Sequence, residues 1–375
     1  MLHKINVMKN TLYMEVYTQI KEDILDGVYA PGDRLPSLEE LMQQYSVSSI
    51  TIKSSLNLLK QDGLISRKQR QGTIVTSPTT NHLIADDLPL IGVILTNFDN
   101  AFGSTLLRSL IQYAEDKAHI ITKFSNGDID TEEKLLLKFT EMKVNGIILL
   151  PCSSKYISNT LLELASKNFP ITVIDRSLES LPICSVSTNN VEAGKCATEY
   201  LFSKNHKNLG IISTDNYVST TKERLDGFVL AHASHKLYLN PDNILAEIKS
   251  VIPNSPSNCV ESDIQTIKRF LTTHKDLRAF VVTEYNIALL LTSAAEQLGM
   301  SIPDDYSVIC FDSPNNPFSA ALNYTHISQD QRQLAQSAVD IVLAKINNPK
   351  FHKKALIDFS LVEGDSVAPV AFSNI

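Results

Sequence analysis

Residues 47–63 read VSSITIKSSLNLLKQDG, and this stretch decides how the N-terminal part of the chain folds. Ser48 offers a short hydroxyl where a helix needs an acceptor for its first free N–H groups, and Gly63 supplies the stop. Between them Ile52, Leu56 and Leu59 share one face, which predicts a helix over 49–61 with that face buried. Upstream, Ser37 with Glu40 three residues on forms a capping box for a short helix running to about Tyr45. Val47 then restarts the chain after a tight turn. Earlier still, LYMEVYTQIKEDILD (12–26) sets Leu12, Val16, Ile20 and Ile24 at steps of four, an amphipathic helix ended by Gly27. Downstream, LISRKQRQGTIV (64–75) is a pair of short β-like runs around a basic tip. Three helices, two of them joined by a tight turn, followed by a hairpin, predict a winged helix-turn-helix.

From residue 90 the texture changes. Apolar runs such as LIGVILT, HIITKF, GIILLP, PITVID, LGIIS, FVVT and SVICF alternate with amphipathic stretches. Those stretches predict helices over 103–117, 131–143, 155–167, 190–204, 219–233, 261–273, 286–299 and 330–346. Strands alternating with helices of this length mean parallel sheets with right-handed crossovers. About ten strands are too many for one sheet, so the fold class is α/β, with two doubly wound lobes and a cleft between their strand ends. The expected division is a DNA-binding domain over 1–76, a polar linker over 77–89 and an effector-binding domain over 90–375.

Composition sets outer limits. In 375 residues, 43% hydrophobic and 20% charged, with 13 Gly and 15 Pro, there is material for two or three folded domains and no sign of a disordered or collagenous chain. The net charge of −7 is an average of unlike parts. Residues 1–80 hold 9 Lys and Arg against 8 Asp and Glu, whereas residues 81–375 hold 25 against 33. The five cysteines form no CxxC pair and sit mostly in apolar runs, the pattern of buried free thiols in a reducing compartment. MLHKINVMKNTLYMEV lacks the apolar core of a signal peptide, and no apolar run approaches the ~18 residues of a membrane span. A cytoplasmic protein without membrane contact is expected.

DNA affinity rests on phosphate contacts, and specificity on a few side chains carried into the major groove. The third helix presents Ser48, Ser49, Thr51 and Lys53 near its N-terminus, and Ser37 opens the helix before it. The hairpin tip carries Arg67, Lys68 and Arg70, with no acidic residue from Leu64 to Val75. A charge run can be no more than a solvated surface, but directly after a helix-turn-helix it is suited to the backbone or the minor groove.

In the second part no GxGxxG, GxxxxGK[ST], GxSxG or HExxH occurs, so nucleotide, hydrolase and zinc-protease chemistry have no support; no enzyme, cofactor or metal is expected. His232 and His235 are three apart at a helix end, which is a weak metal signal and more simply a capping or solvated pair. A two-lobed cleft encloses small polar ligands, and hydroxyl groups call for Asp, Asn, Arg or Gln partners beside an aromatic face. Strand ends supply Asp175 and Arg176, Glu284 and Tyr285, Asp312, and Gln329; Arg224 opens RLDGF, and Phe98, Asp99 and Phe102 follow the first strand.

Residues 12–75 resemble the DNA-binding domain of the GntR family of bacterial regulators, through PGDRLPS (31–37), VSxxT (47–51), GLI (63–65) and QGT (71–73). The resemblance implies DNA contacts at Arg34, Ser48, Thr51, Lys53 and Gly72. In that family an Arg commonly stands at the positions of Glu39, Ser49 and Lys53, and the loss of bidentate donors implies a different operator. Residues 90–370 resemble the effector domain of the LacI/GalR family, which is similar to periplasmic sugar-binding proteins. The carrying residues include IGVI (91–94), VNGIILLP (144–151), FPITVIDR (169–176), GMSIPDDYSVICFD (299–312) and THISQD (325–330). Ligand positions implied by this resemblance fall on Asp175, Arg224, Asp312 and Gln329. Where that family commonly has Asn-Asp, this chain has Glu284-Tyr285, and Gly364 replaces a usual Arg.

A GntR-type head on a LacI-type body is the arrangement of arabinose-repressor-like regulators. It implies a homodimeric repressor of carbohydrate-utilisation genes, released from operator DNA when a mono- or disaccharide closes the lobes. A nucleobase or other small metabolite as effector, or action as an activator, fits the same architecture. A pyridoxal-phosphate aminotransferase body would need a Schiff-base lysine at a strand end, and none is present. A transport binding protein would need a signal peptide and no DNA-binding head.

Overall fold

The computed structural model describes residues 12–68, 72–76, 88–97, 102–214, 218–314 and 322–370, and the chain divides into two compact units at Leu88/Pro89. In the first unit α1 (Leu12–Leu25), α2 (Leu38–Tyr45) and α3 (Ser49–Gln61) are followed by the antiparallel hairpin β1 (Ile65–Lys68) and β2 (Gly72–Val75). The amphipathic faces meet in a small core of Val16, Ile20, Leu41, Ile52 and Leu59. The local signals act as expected. The Ser37 N–H donates to Glu40 Oε2 at 2.6 Å while the Glu40 N–H donates back to Ser37 Oγ, closing the capping box. Ser46 ends α2 in a left-handed conformation, Ser48 caps α3, and the chain leaves α3 through Gly63 at φ +67°.

The second unit holds two six-stranded sheets. One has the order β13-β7-β6-β5-β3-β4, built from β3 (Leu90–Leu95), β4 (His119–Phe124), β5 (Gly146–Leu149), β6 (Ile171–Ile174), β7 (Cys184–Thr188) and β13 (Lys354–Ile357). The other has the order β14-β12-β11-β10-β8-β9, from β8 (Leu209–Thr214), β9 (Ile244–Ile248), β10 (Ala279–Val282), β11 (Ser307–Phe311), β12 (Thr325–Gln329) and β14 (Phe359–Val362). All pairings are parallel except β12 with β14. The chain passes between the lobes after β7, after β12 and between β13 and β14, so each lobe is discontinuous in sequence. Helix α11 (Gln331–Asn347) follows a second-lobe strand yet packs on the first lobe, where Leu334, Ala338 and Val342 join its core.

Where helix bounds shift from the predicted spans, two of the shifts have a visible local cause. α5 runs Ile129–Glu141 rather than 131–143, because the Asp128 carboxylate accepts the Thr131 N–H and starts it early. α6 runs Asn159–Ser166 rather than 155–167, because Ser158 caps it, while the Ser153 hydroxyl accepts the Lys155 and Tyr156 N–H groups in a turn. Of the five cysteines, Cys152, Cys184 and Cys310 are buried, Cys196 and Cys259 are partly so, and all are free. Among the described residues no helix is long and apolar enough to cross a membrane.

The tightest crossing joins α7 (Asn190–Ser203) to α8 (Ser219–Ser234). A Cβ on Gly227 would stand 2.1 Å from the Val191 carbonyl oxygen and 2.6 Å from the Lys195 nitrogen, and one on Gly194 would stand 2.3 Å from the Arg224 carbonyl oxygen. Backbone cannot swing aside as a side chain can, so Gly227→Ala is expected to cost about 3 kcal/mol of stability, the upper range for an overpacked core. Denaturant unfolding followed by circular dichroism measures it, and a loss below the ordinary Gly→Ala scatter would contradict this account of the crossing.

Candidate functional site

Two strands, one from each lobe, end on an aspartate in the left-handed conformation: Asp175 at φ +67° after β6, and Asp312 at φ +58° after β11. Asp and Asn are among the few side chains that enter this region without heavy strain, and such outliers gather at ligand sites. Both N–H groups stay tied to their own sheets, Asp175 to the Val186 carbonyl at 2.8 Å and Asp312 to the Ile327 carbonyl at 3.0 Å. The turn therefore occurs where the strands stop, at the mouth of a cleft of about 440 Å³ between the lobes.

Arg224 reaches this cleft from α8 and is 5% exposed. Its Nε donates to Asn190 Oδ1 at 2.9 Å, its Nη1 donates to the Thr283 carbonyl at 2.7 Å, and its guanidinium carbon lies 4.1 Å from the centroid of the Phe311 ring. Gln329 ends β12, and its Nε2 donates to Asp312 Oδ2 while its Oε1 accepts the Thr188 hydroxyl at 2.6 Å. Burial pushes the Asp312 carboxyl up to about 6, against the pull of Arg224 and of the bonds from Gln329, with nearby Asp175 adding to the rise. Burial likewise raises Asp175, opposed by Arg176 and Arg224. A buried cation, two buried carboxyls and an amide at strand ends form a site that can both donate to and accept from hydroxyl groups.

Of the ten side chains expected at the cleft, Phe102, Asp175, Arg176, Arg224, Glu284, Tyr285, Asp312 and Gln329 all line it. Phe98 and Asp99 lie outside the described residues. Arg176 donates from Nη1 to the Pro151 carbonyl, while its Nε is buried with no hydrogen-bond partner. Also lining the cleft, and not anticipated, are Asn97, Thr96, Thr220, Asn286 and the Val251–Pro253 turn. Thr96 and Asn97 directly follow β3, so the strand-end rule that selected Asp175 pointed to them as well. Asn190, which orients Arg224, was not among the expected site residues, although it lies in the run VSTNNVEAG (186–194) that belongs to the effector-domain resemblance. Cys152 lines the wall, but burial and the neighbouring Glu132 push its thiol up to about 12, so it remains a thiol rather than a nucleophilic thiolate.

Elsewhere in this unit His232 is buried, its Nδ1 2.9 Å from the Phe228 carbonyl, and His235 Nε2 stands 3.5 Å from Glu199. Among the described residues no group of three or more His, Cys, Asp or Glu side chains is placed to hold a metal ion.

In the first unit Arg34, Ser37, Lys53 and Gly72 border a concavity of about 360 Å³ together with Asn57 and Lys60. Gly72, at φ +85°, allows the Arg34 guanidinium to lie against the wing, since a Cβ there would stand 2.6 Å from Arg34 Nε. Ser48 Oγ and Thr51 Oγ1 are 2.9 Å apart and bonded to each other, and Ser49 and Thr51 are half-buried. Arg67 and Lys68 belong to β1, but their side chains, like the whole of Arg70, lie outside the described residues.

Residues 12–75 match the model of bacterial regulatory proteins of the gntR family, and residues 198–367 match that of the periplasmic binding protein-like domain. The chain is a GntR-type helix-turn-helix head joined to a periplasmic-binding-protein-like body. The Geobacillus stearothermophilus protein named arabinose metabolism transcriptional repressor is 23% identical over 90% of this chain and 93% of its own length. The HTH-type transcriptional repressor PurR of Aliivibrio fischeri is 23% identical over 86% of this chain and 95% of its own. The body shares its fold with a LacI family transcriptional regulator from Enterococcus faecium solved with bound ribose, at TM-score 0.62 and 22% identity over 75% of this chain and 100% of that one.

Asp312 is expected to contribute a pH dependence to the stability of the body. Between its ordinary value of 3.8 and about 6 the folded chain holds a proton that the unfolded chain releases, so stability falls as pH rises through this window. The full effect is roughly 3 kcal/mol. Asp312→Asn is expected to remove this part of the slope; equal pH slopes between 4 and 6.5 in the two proteins, by denaturant unfolding, would show that the carboxyl is not held up by burial.

Proposed function

We propose that this protein is a transcriptional regulator that grips operator DNA with residues 1–76 and is governed by a small polyhydroxylated molecule bound between the lobes of 90–375. The reading is that of a repressor of carbohydrate-utilisation genes, working in the cytoplasm as a homodimer with residues 77–89 as linker, and using no enzymatic step. The observation that carries the effector half is the convergence of Asp175, Arg224, Asp312 and Gln329 on one cleft from strand ends and α8. Asp and Gln acceptors beside a guanidinium suit vicinal hydroxyls, and Phe102 and Tyr285 add apolar and aromatic surface for a sugar ring. The DNA half rests on the gntR match and on Arg34, Lys53 and Lys60 around one concavity.

The proposed mechanism is a population shift. Effector held by both lobes favours the closed body, and a coupling of ~1–3 kcal/mol changes operator affinity 5–150-fold. Two half-sites in register require two heads, hence the dimer.

A thermal-shift screen of monosaccharides, disaccharides and purines tests the effector, the purines because relatives named PurR share most of the chain's length. A sugar at a hundredfold excess over its Kd is expected to raise Tm by about 5 °C. A rise with purines alone overturns the sugar reading. For the head, Lys53→Ala with Arg67→Ala is expected to weaken binding across sequences and to flatten the salt dependence by about two in log–log slope per head, about four for the dimer on its two half-sites; unchanged mobility shifts would sink those two contacts.

A further inference from the structure

Ile50 is 75% exposed on the first turn of α3. The apolar face of that helix points the other way, with Ile52 and Leu59 fully buried. Lone exposed apolar side chains are common, and exposure alone would mean little. What distinguishes Ile50 is its company. Among the described side chains of α3 those that stand exposed are Ile50, Lys53, Asn57 and Lys60, which at helical spacing form one stripe about 15 Å long. The helix contains no acidic residue. Of the hydroxyls beside Ile50, those of Ser48 and Thr51 are bonded to each other, and Ser49 is half-buried. The stripe thus opens with a branched hydrocarbon and continues with two cations and an amide.

A surface of this kind matches one polyanion in detail. The major groove is about 12 Å wide, is flanked by phosphates for lysines, and displays a single apolar group, the 5-methyl of thymine. We infer that Ile50 is a specificity-determining residue that reads a thymine methyl in the operator. Burying one methyl against it contributes about fourfold in affinity per contacted thymine. The contact discriminates against cytosine, which has no methyl, and needs no hydrogen bond. The inference rests on the DNA-binding reading above.

The test begins with selection of a duplex from a random library by the full-length chain, followed by replacement of each thymine in turn with deoxyuridine, which differs only by the methyl. Expected is one position per half-site at which deoxyuridine weakens wild type about fourfold, while Ile50→Ala binds the thymine and uracil duplexes equally. The Tm of Ile50→Ala should equal that of wild type, since the side chain lies outside the core. If the selection enriches a duplex but no position behaves this way, or Ile50→Ala keeps the full thymine preference, Ile50 has no such role and the DNA-binding reading stands. If no duplex is enriched, the DNA-binding reading itself falls and takes this inference with it.

Discussion

A buried guanidinium governs the body of this protein. Arg224 cannot be left in a nearly dry interior without acceptors, and the fold supplies them from three separate stretches of chain: Asn190 at the start of α7, the Thr283 carbonyl just past β10, and the face of Phe311 at the end of β11. Its field then bears on Asp175 and Asp312, one from each lobe, and partly offsets the burial that raises both carboxyls. None of this would be in reach if α8 stood at an ordinary distance from α7. Gly194 and Gly227 remove the two Cβ atoms that would hold these helices apart, so a steric allowance in one place positions a charge in another.

The same cleft is bounded by contacts that tie the lobes together. The Ser177 N–H of the first lobe donates to Ser219 Oγ at the start of α8, and the Ser219 N–H donates to Ser154 Oγ, both at 2.9 Å. On another side Gly127 lies so near Pro253 that a Cβ there would stand 2.3 Å from the proline's own. Thr188 and Gln329, at two of the three passages between lobes, are hydrogen-bonded to each other, and Gln329 continues to Asp312. A group that carries the connection between lobes is thus bonded to a group that faces the cleft. In the proposed mechanism this chain of bonds would couple occupancy of the pocket to the relative position of the lobes.

How much of this was legible beforehand depends on how local its cause is. Helix caps at Ser37 and Ser48 answer to the few N–H groups that follow them, so they can be read from neighbours alone. The strand-end side chains were also legible, because an open parallel sheet places its strand termini at the cleft whatever the residues. β9 was not, since it has no period-two alternation and is held by pairing with β8, and neither were the edge strands β13 and β14, which form only because the chain has crossed between lobes. Ile50 was passed over because hydroxyls and cations were sought at the third helix, although the buried face of Ile52, Leu56 and Leu59 already leaves it on the outward side.

The sequence by itself determined the two building plans, the sites of the helix caps, the unequal charge of the two parts and the strand ends at which a ligand would sit. Each follows from contacts between residues close in the chain or from rules that hold for every parallel sheet. Only the tertiary structure decided that Asn190 and Thr283 would orient Arg224 and that two aspartates from different lobes would share its field. Those arrangements join residues dozens of positions apart, and a side chain's surroundings over such separations are set by packing, which no local pattern encodes.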